Sequence, residues 1–209
     1  MRKDIDAIFT DFGGVLLPLH FERSFKMFQD LGADIPQKIL FRDARFNTIM
    51  RQLELGLIDN REFYAHLREL LCITTTDAEI EDAWNSIIGI VPLYKMQLLR
   101  ELKRHYRMYM VSNTNAPHFD YTRKSLFRDE GLSVDDYFDK LYLSHEIHAQ
   151  KPCAEFYQKV LTDSGESARK CIFLDDLPDN IESARNAGFE AYLINPAEDL
   201  RKKITEILL

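Results

Sequence analysis

Hydrophobic and polar positions along the chain follow two different textures, and the point where one gives way to the other divides it. Residues 5–10 (Ile-Asp-Ala-Ile-Phe-Thr) form a short, largely apolar segment that runs into Asp11 and the pair Gly13-Gly14, the pattern of a strand feeding a tight loop. From about His20 to Ile90 the apolar residues recur instead at helical spacing. Phe21, Phe25, Phe28 and Leu31 make one stripe, Phe63, Leu67, Leu70 and Leu71 a second, and Trp84, Ile87 and Ile88 a third. That spacing predicts four or five helices packed as a small bundle. After Pro92 the texture becomes regular alternation. Helices are expected over Leu93–Arg104, Pro117–Arg128, Ala154–Leu161, Asp179–Ala187 and at the C-terminus, with strands at Arg107–Val111, Lys140–Leu143, Cys171–Leu174 and Ala191–Ile194 between them.

Alternation of this kind builds a parallel sheet covered by helices on both faces, so the expected class is α/β, a doubly wound, Rossmann-like core. The first strand joins that sheet although the helical stretch separates it from the others. The chain is therefore expected to divide into a core domain of residues 1–18 and 91–209 and an inserted helical bundle of residues 19–90. No internal repeat or low-complexity run interrupts this pattern.

Composition narrows the possible partners. With 209 residues, 45% hydrophobic and 11% aromatic, the chain can bury one ordinary core with a small appended module. A formal charge of -7 argues against a nucleic-acid partner, which is held by clustered Lys and Arg. Cys72, Cys153 and Cys171 are odd in number and far apart, which suits a reducing compartment and buried packing thiols. Asp4, Asp6 and Asp11 break the pattern of a signal peptide. No stretch is apolar enough to span a bilayer, so a soluble, cytoplasmic protein without a membrane partner is expected. Oligomeric state has no signature in the sequence.

In an open parallel sheet, ligands bind beyond the carboxyl ends of the strands. The polar residues expected there are Asp11 after the first strand, Ser112-Asn113-Thr114-Asn115 after the second, Lys151-Pro152 beyond the third by way of Ser144, and Asp175-Asp176 after the fourth. This set suits a phosphate ester. A phosphate monoester carries two negative charges, and a carboxylate can approach it only when a hard divalent cation and a lysine offset them. Mg²⁺ takes oxygen ligands and commonly only one or two protein carboxylates, which Asp11 and Asp176 can supply with Asp175 beside its water shell. Lys151 can neutralise one phosphoryl oxygen and Ser112 can donate to another. Backbone N–H groups of the Gly13-Gly14 turn can bind a third. One oxygen of Asp11 can then attack phosphorus to give an aspartyl phosphate for water to hydrolyse.

The segments Phe-Thr-Asp11-Phe-Gly13-Gly-Val-Leu, Val-Ser112-Asn113-Thr-Asn, Lys151-Pro152 and Phe-Leu-Asp175-Asp176-Leu-Pro-Asp-Asn180-Ile together resemble the four ordered motifs of the haloacid dehalogenase superfamily. The likeness covers nearly the whole chain. The insertion resembles the cap of that superfamily's helical-cap subclass, and Glu54-Leu-Gly56-Leu-Ile58 its substrate-facing helix-loop-helix. Within it the chain looks most like bacterial α-D-glucose-1-phosphate phosphatases, and next like the phosphatase domain of soluble epoxide hydrolases. The resemblance implies a Mg²⁺-dependent phosphatase of a small phosphorylated metabolite, with a sugar phosphate favoured. It implies Asp11 as nucleophile and metal ligand, the Gly13 carbonyl and Asp176 as further ligands, and Ser112, Asn113 and Lys151 as phosphate contacts.

The chain departs from that pattern at Gly13, where most phosphatases of the superfamily carry a second aspartate that protonates the leaving group. General acid–base help contributes about 10²–10⁴-fold. Either the substrate has a good leaving group, or a cap residue supplies the proton, with His20, Arg45 and Glu54 as candidates, or turnover is lost and the protein only binds phosphorylated ligands. A 2-haloacid dehalogenase would also lack that aspartate. It needs no metal, however, and three carboxylates with no cation would repel one another. Blander roles are expected for several residues: helix capping for Asn113, Asn115, Asp179 and Asn180, with support of the metal loop as a second role open to Asn180, helix entry for Pro152, solvated positions for His145 and His148, cap packing for the aromatic stripe of residues 21–28, and a solvated helix face for Arg42, Arg45 and Arg51.

Overall fold

The computed structural model describes residues 2–34, 36–127 and 131–209. Five parallel strands form the sheet: β1 (Ala7–Thr10), β2 (Arg107–Ser112), β3 (Lys140–Leu143), β4 (Cys171–Asp175) and β5 (Glu190–Leu193), in the order β3-β2-β1-β4-β5. β1 lies at the centre, with Thr10 level with Met110 of β2 and with Leu174 of β4. That register brings the chain leaving β1, β2 and β4 to one edge of the sheet, and the order reverses direction around β1. A ligand crevice opens at such a point.

Alternate residues serve opposite faces. Ala7, Phe9, Tyr109, Val111 and Phe173 pack against α10 (Ala154–Ser164) and α11 (Pro178–Asn186). Ile8, Met108, Met110, Ile172 and Leu174 pack with α6 (Leu93–Lys103), α7 (Ala116–Ser125), α8 (Val134–Tyr137) and α12 (Leu200–Leu208). Burial on both faces explains why the strands read as nearly continuous apolar runs. The expected helix over Pro117–Arg128 ends at Ser125, and Arg128 lies outside the described residues. The four-residue helices α8 and α9 (Ser144–Ile147) are too short to leave a periodic signal.

The insertion carries α1 (Phe21–Asp30), α2 (Gln37–Leu40), α3 (Ala44–Glu54), α4 (Asn60–Leu71) and α5 (Asp77–Asn85). Local chemistry sets their starts. The Asp43 carboxylate accepts from the Arg45 and Phe46 N–H groups, and Asp59 with Glu62 and Thr76 with Glu79 form reciprocal capping boxes. Phe28, Leu53, Phe63, Leu67, Leu71 and Trp84 gather in a separate apolar cluster, whereas Ile87 and Ile88 pack with the sheet. The two chain passages joining insertion and sheet run side by side, with the His20 N–H donating to the Ile87 carbonyl (2.7 Å) and the Gly89 N–H to the Pro18 carbonyl (3.0 Å). One expectation fails here. Only Cys171 is buried, while Cys72 and Cys153 are exposed because each sits at a helix end rather than within an apolar stripe. No helix among the described residues is long and apolar enough to cross a membrane.

Candidate active site

Each of the three central strands delivers one polar group to the crevice. Asp11 follows β1 and Ser112 ends β2. Asp175 ends β4, and Asp176 follows it. Lys151, on the loop between α9 and α10, reaches into the same place and is 1% exposed. Its ammonium lies 2.8 Å from Asp11 Oδ1 and 2.7 Å from Asp175 Oδ2, and donates to the Val111 carbonyl at 2.9 Å. Three donors thus meet three acceptors.

The surroundings fix these groups. Asn113 spends both ends of its amide on the Lys151 backbone, donating to the carbonyl (2.8 Å) and accepting from the N–H (2.9 Å). Its side chain therefore positions Lys151, and a direct phosphate contact is open only to its backbone. Asp175 Oδ1 accepts from the Leu177 N–H and from Asn180 Nδ2, both at 2.9 Å, and the Asn180 carbonyl in turn accepts from the Tyr157 hydroxyl. With Lys151 on its other oxygen, Asp175 is held from three sides.

The expected helix caps are redistributed. Asn115 caps α7 and Asn113 does not; Asp179 and Asn180 sit inside α11, whose cap position is Leu177. Pro152 precedes α10, which Cys153 caps. The Gly14 N–H donates to the Leu17 carbonyl at 2.8 Å, so it closes the turn and is not offered to phosphate. Gly14 matters for another reason. Its φ is +79°, and a Cβ there would come 2.1 Å from Asp176 Oδ2, so only glycine lets the Asp176 carboxylate lie against this loop. Gly13 has no such strain, but a Cβ would meet Leu19 Cδ1 at 3.0 Å. Leu19 stands where a side chain at position 13 would go.

Asp11, Asp175 and Asp176 each place a carboxylate oxygen within 4.8 Å of the others. Burial pushes the Asp11 carboxyl up from its ordinary range, against the pull of Lys151, with Asp175 adding to the push; burial and then Asp175 raise Asp176 as well. Three carboxylates facing one ammonium leave two negative charges uncompensated when all are ionised. One hard divalent cation would cancel them, and an all-oxygen donor set is what Mg²⁺ takes. The residues present fit that ion.

Beside this cluster a chamber of about 210 Å³ runs under the insertion. Gly13, Ser112, Asn113 and Thr114 wall the end nearer the sheet, and helices α1, α3 and α4 supply half of the remainder. The Ser112 hydroxyl makes no hydrogen bond among the described residues and is available to a ligand. The aromatic stripe of α1 lines this chamber, a correction to its expected role as cap packing; only Phe28 is fully buried with the cap cluster. Of the three residues considered as proton donors, Glu54 lines the chamber. Arg45 is paired with Asp43 on the exposed face of α3, and His20 lines a shallower depression. Burial alone pushes Glu54 up to about 7. Arg42 and Arg51 are exposed.

His145 and His148 do more than face solvent. The His148 ring lies 2.7 Å from the Leu55 carbonyl through Nδ1, and a Cβ on Gly56 would come 2.2 Å from the His145 carbonyl oxygen, so α9 abuts the α3–α4 turn. A second bridge was not legible in the sequence. Asn115 accepts from Trp84 Nε1 (3.3 Å), His118 stacks on the Trp84 ring at 4.9 Å, and His118 Nε2 meets the Trp84 carbonyl at 3.1 Å. Burial lowers His118 to about 4, so it is neutral at ordinary pH.

A parallel sheet whose central strands end in a carboxylate, a hydroxyl and an acidic pair, with a buried lysine reaching in from a loop, defines a hydrolase class. The chain belongs to the haloacid dehalogenase-like hydrolases, whose family profile matches residues 5–188. It is 32% identical to a D-ribitol-5-phosphate phosphatase of Bacteroides thetaiotaomicron over 206 residues, 98% of each chain. A sesquiterpene phosphatase of Aspergillus oryzae is 31% identical over 140 residues, 66% of this chain and 67% of that one. The crystal structure of a haloacid dehalogenase family enzyme of B. thetaiotaomicron, in complex with magnesium and inorganic phosphate, superposes with a TM-score of 0.89 at 34% identity, covering 95% of this chain and 98% of that one.

Proposed function

We propose that this hydrolase is a Mg²⁺-dependent phosphatase of a small phosphorylated metabolite, acting through an aspartyl phosphate on Asp11. The observation that carries the reading is the buried Asp11–Lys151–Asp175 contact set at the mouth of the chamber, with Asp176 adjacent. The ribitol-phosphate and sesquiterpene phosphatases support it, since two unlike organic groups share a phosphate leaving chemistry there.

Asp11, Asp176 and the Gly13 carbonyl would hold the cation, with Asp175 behind its water shell. Bound there, Mg²⁺ would offset phosphoryl charge and lower the repulsion between ester and carboxylate. Lys151 exchanges its bond to Asp11 for one to a phosphoryl oxygen, and the Ser112 hydroxyl and Gly13 N–H donate to the others. The free Asp11 oxygen attacks phosphorus as the ester P–O bond breaks. Glu54, protonated, gives its proton to the departing oxygen, taking the part that Gly13 cannot. In the second half, Glu54 accepts a proton from the water that cleaves the phosphoaspartyl bond, releasing phosphate and restoring Asp11. The α1–α5 insertion acts as the cap that excludes bulk water while this happens.

Phosphate release from p-nitrophenyl phosphate, with and without Mg²⁺, tests the reading. Release should require the cation, and Asp11→Asn should lose at least roughly 10³-fold while keeping its fold by circular dichroism. Full activity in Asp11→Asn would end the proposal.

A further inference from the structure

The chamber's wall says more about the leaving group than the phosphate end does. Two helices turn apolar stripes inward: Phe21, Phe25 and Phe28 recur at i, i+4, i+7 on α1, and Phe46 and Met50 stand two turns and one turn before Glu54 on α3. Phe41 closes the rim, its ring 6.2 Å from Phe21 and 6.0 Å from Phe46. A sugar or polyol would bring several hydroxyls into this space, each needing a partner once its water is gone. Few partners exist. The Asn113 amide is committed to Lys151, and the side chains of Asn115 and His118 are committed to each other and to Trp84. Ser112 and Thr114 wall the end nearer the sheet, where the phosphate would lie. Ser24 and Glu54 are then the polar side chains facing the chamber from α1 and α3. Glu54 has no hydrogen-bond or ion-pair partner among the described residues, and one carboxyl suffices for one ester oxygen.

Resting on the phosphatase reading above, we infer that the preferred substrate is a phosphate monoester of an apolar alcohol, a short aliphatic or single-ring group that fills the chamber between α1 and α3. Size agrees with this. The chamber's roughly 210 Å³ exceeds the ~150 Å³ of an engineered apolar cavity that takes up benzene, so one ring or a chain of about six carbons fits. The phosphate would lie by Asp11 and Lys151, the ester oxygen near Glu54, and the carbon chain against Phe25, Phe46 and Met50.

Two measurements with Mg²⁺ present test the inference. In calorimetry, n-hexylphosphonate should bind at least tenfold more tightly than methylphosphonate, which carries the same head group and leaves the chamber empty; a smaller ratio overturns the inference. In turnover, n-hexyl phosphate and D-ribitol 5-phosphate both leave as primary alcohols, so their kcat/KM ratio reads the chamber and not the leaving-group acidity. The hexyl ester should be favoured at least tenfold, and Met50→Gln, with unchanged melting temperature, should cut that preference by at least half; preference for the polyol ester, or a ratio untouched by Met50→Gln, overturns it. If no ester is hydrolysed while the hexylphosphonate preference persists, the phosphatase reading fails and the chamber assignment stands.

Discussion

Lys151 directs its ammonium at Asp11, Asp175 and the Val111 carbonyl, and the Asn113 amide clamps its backbone. Removing it would leave two buried carboxylates facing each other without compensation. Breaking a buried ion pair on one side typically costs about 3–5 kcal/mol. Lys151→Met should therefore lower stability by about that much in urea melts without Mg²⁺, besides abolishing phosphate release; an unchanged midpoint would show that the triad is not a unit. Glu54 makes a different claim. Its pKa is raised from 4.5 to about 7 by burial, with no charged neighbour contributing. The sign follows directly. A buried acid with a raised pKa contributes stability that is full below pH 4.5 and is lost as pH rises through about 7. A proton donor is likewise active below that value, so kcat should fall as pH rises through about 7. Glu54→Gln should remove that limb of the profile and lower kcat by about 10²-fold. A profile unchanged in Glu54→Gln would take the acid role from it.

At the scale of elements, one of the contacts that tie the insertion to the sheet runs through α9 and the α3–α4 turn. Gly56 has a φ of +63° and its Cα faces the His145 carbonyl so closely that any side chain must push the turn away. Gly56→Ala should displace Glu54, two residues back on α3. A penalty of about 1–3 kcal/mol is expected from the strained backbone, readable as a lower melting temperature, together with a kcat loss larger than the KM change. Such a contact was only half visible in the sequence. Strand ends were legible because each apolar run stops at a polar residue, which is why Asp11, Ser112 and Asp175 were placed at the sheet's edge from pattern alone. Helical stripes told less. Periodicity shows that Phe21, Phe25 and Phe28 share a face, but not whether that face meets other helices or an open chamber. Backbone donors are also silent in a sequence, so the Gly14 N–H looked free until the turn to Leu17 was seen. Of the two roles open to Asn180, its amide takes the support of the acidic loop, donating to the Asp175 carboxylate, and not the helix cap.

Over the whole molecule, charge sets the order of events. The chain carries -7 and its crevice gathers three carboxylates around one lysine, so a phosphate dianion approaching without a cation meets net repulsion. On the proposed mechanism the cation enters with the phosphate or before it. A ligand that binds only the folded state stabilises it by RT ln(1 + [L]/Kd), about 2.7 kcal/mol at a hundredfold excess over Kd. For a chain of this size each kcal/mol raises the melting temperature by about 2–4 °C, so saturating Mg²⁺ should raise it by roughly 5–10 °C, and chelator should reverse the shift. Asp176→Asn should lose most of that gain while keeping the metal-free melting temperature nearly unchanged, because Asp176 is the least buried of the three carboxylates and lies against a glycine rather than an ammonium. Inorganic phosphate at millimolar concentration should add a further shift only after Mg²⁺ is present. A phosphate shift of equal size in chelator would mean that Lys151 and Ser112 bind the anion unaided, and the cation would then have no part in assembling the site.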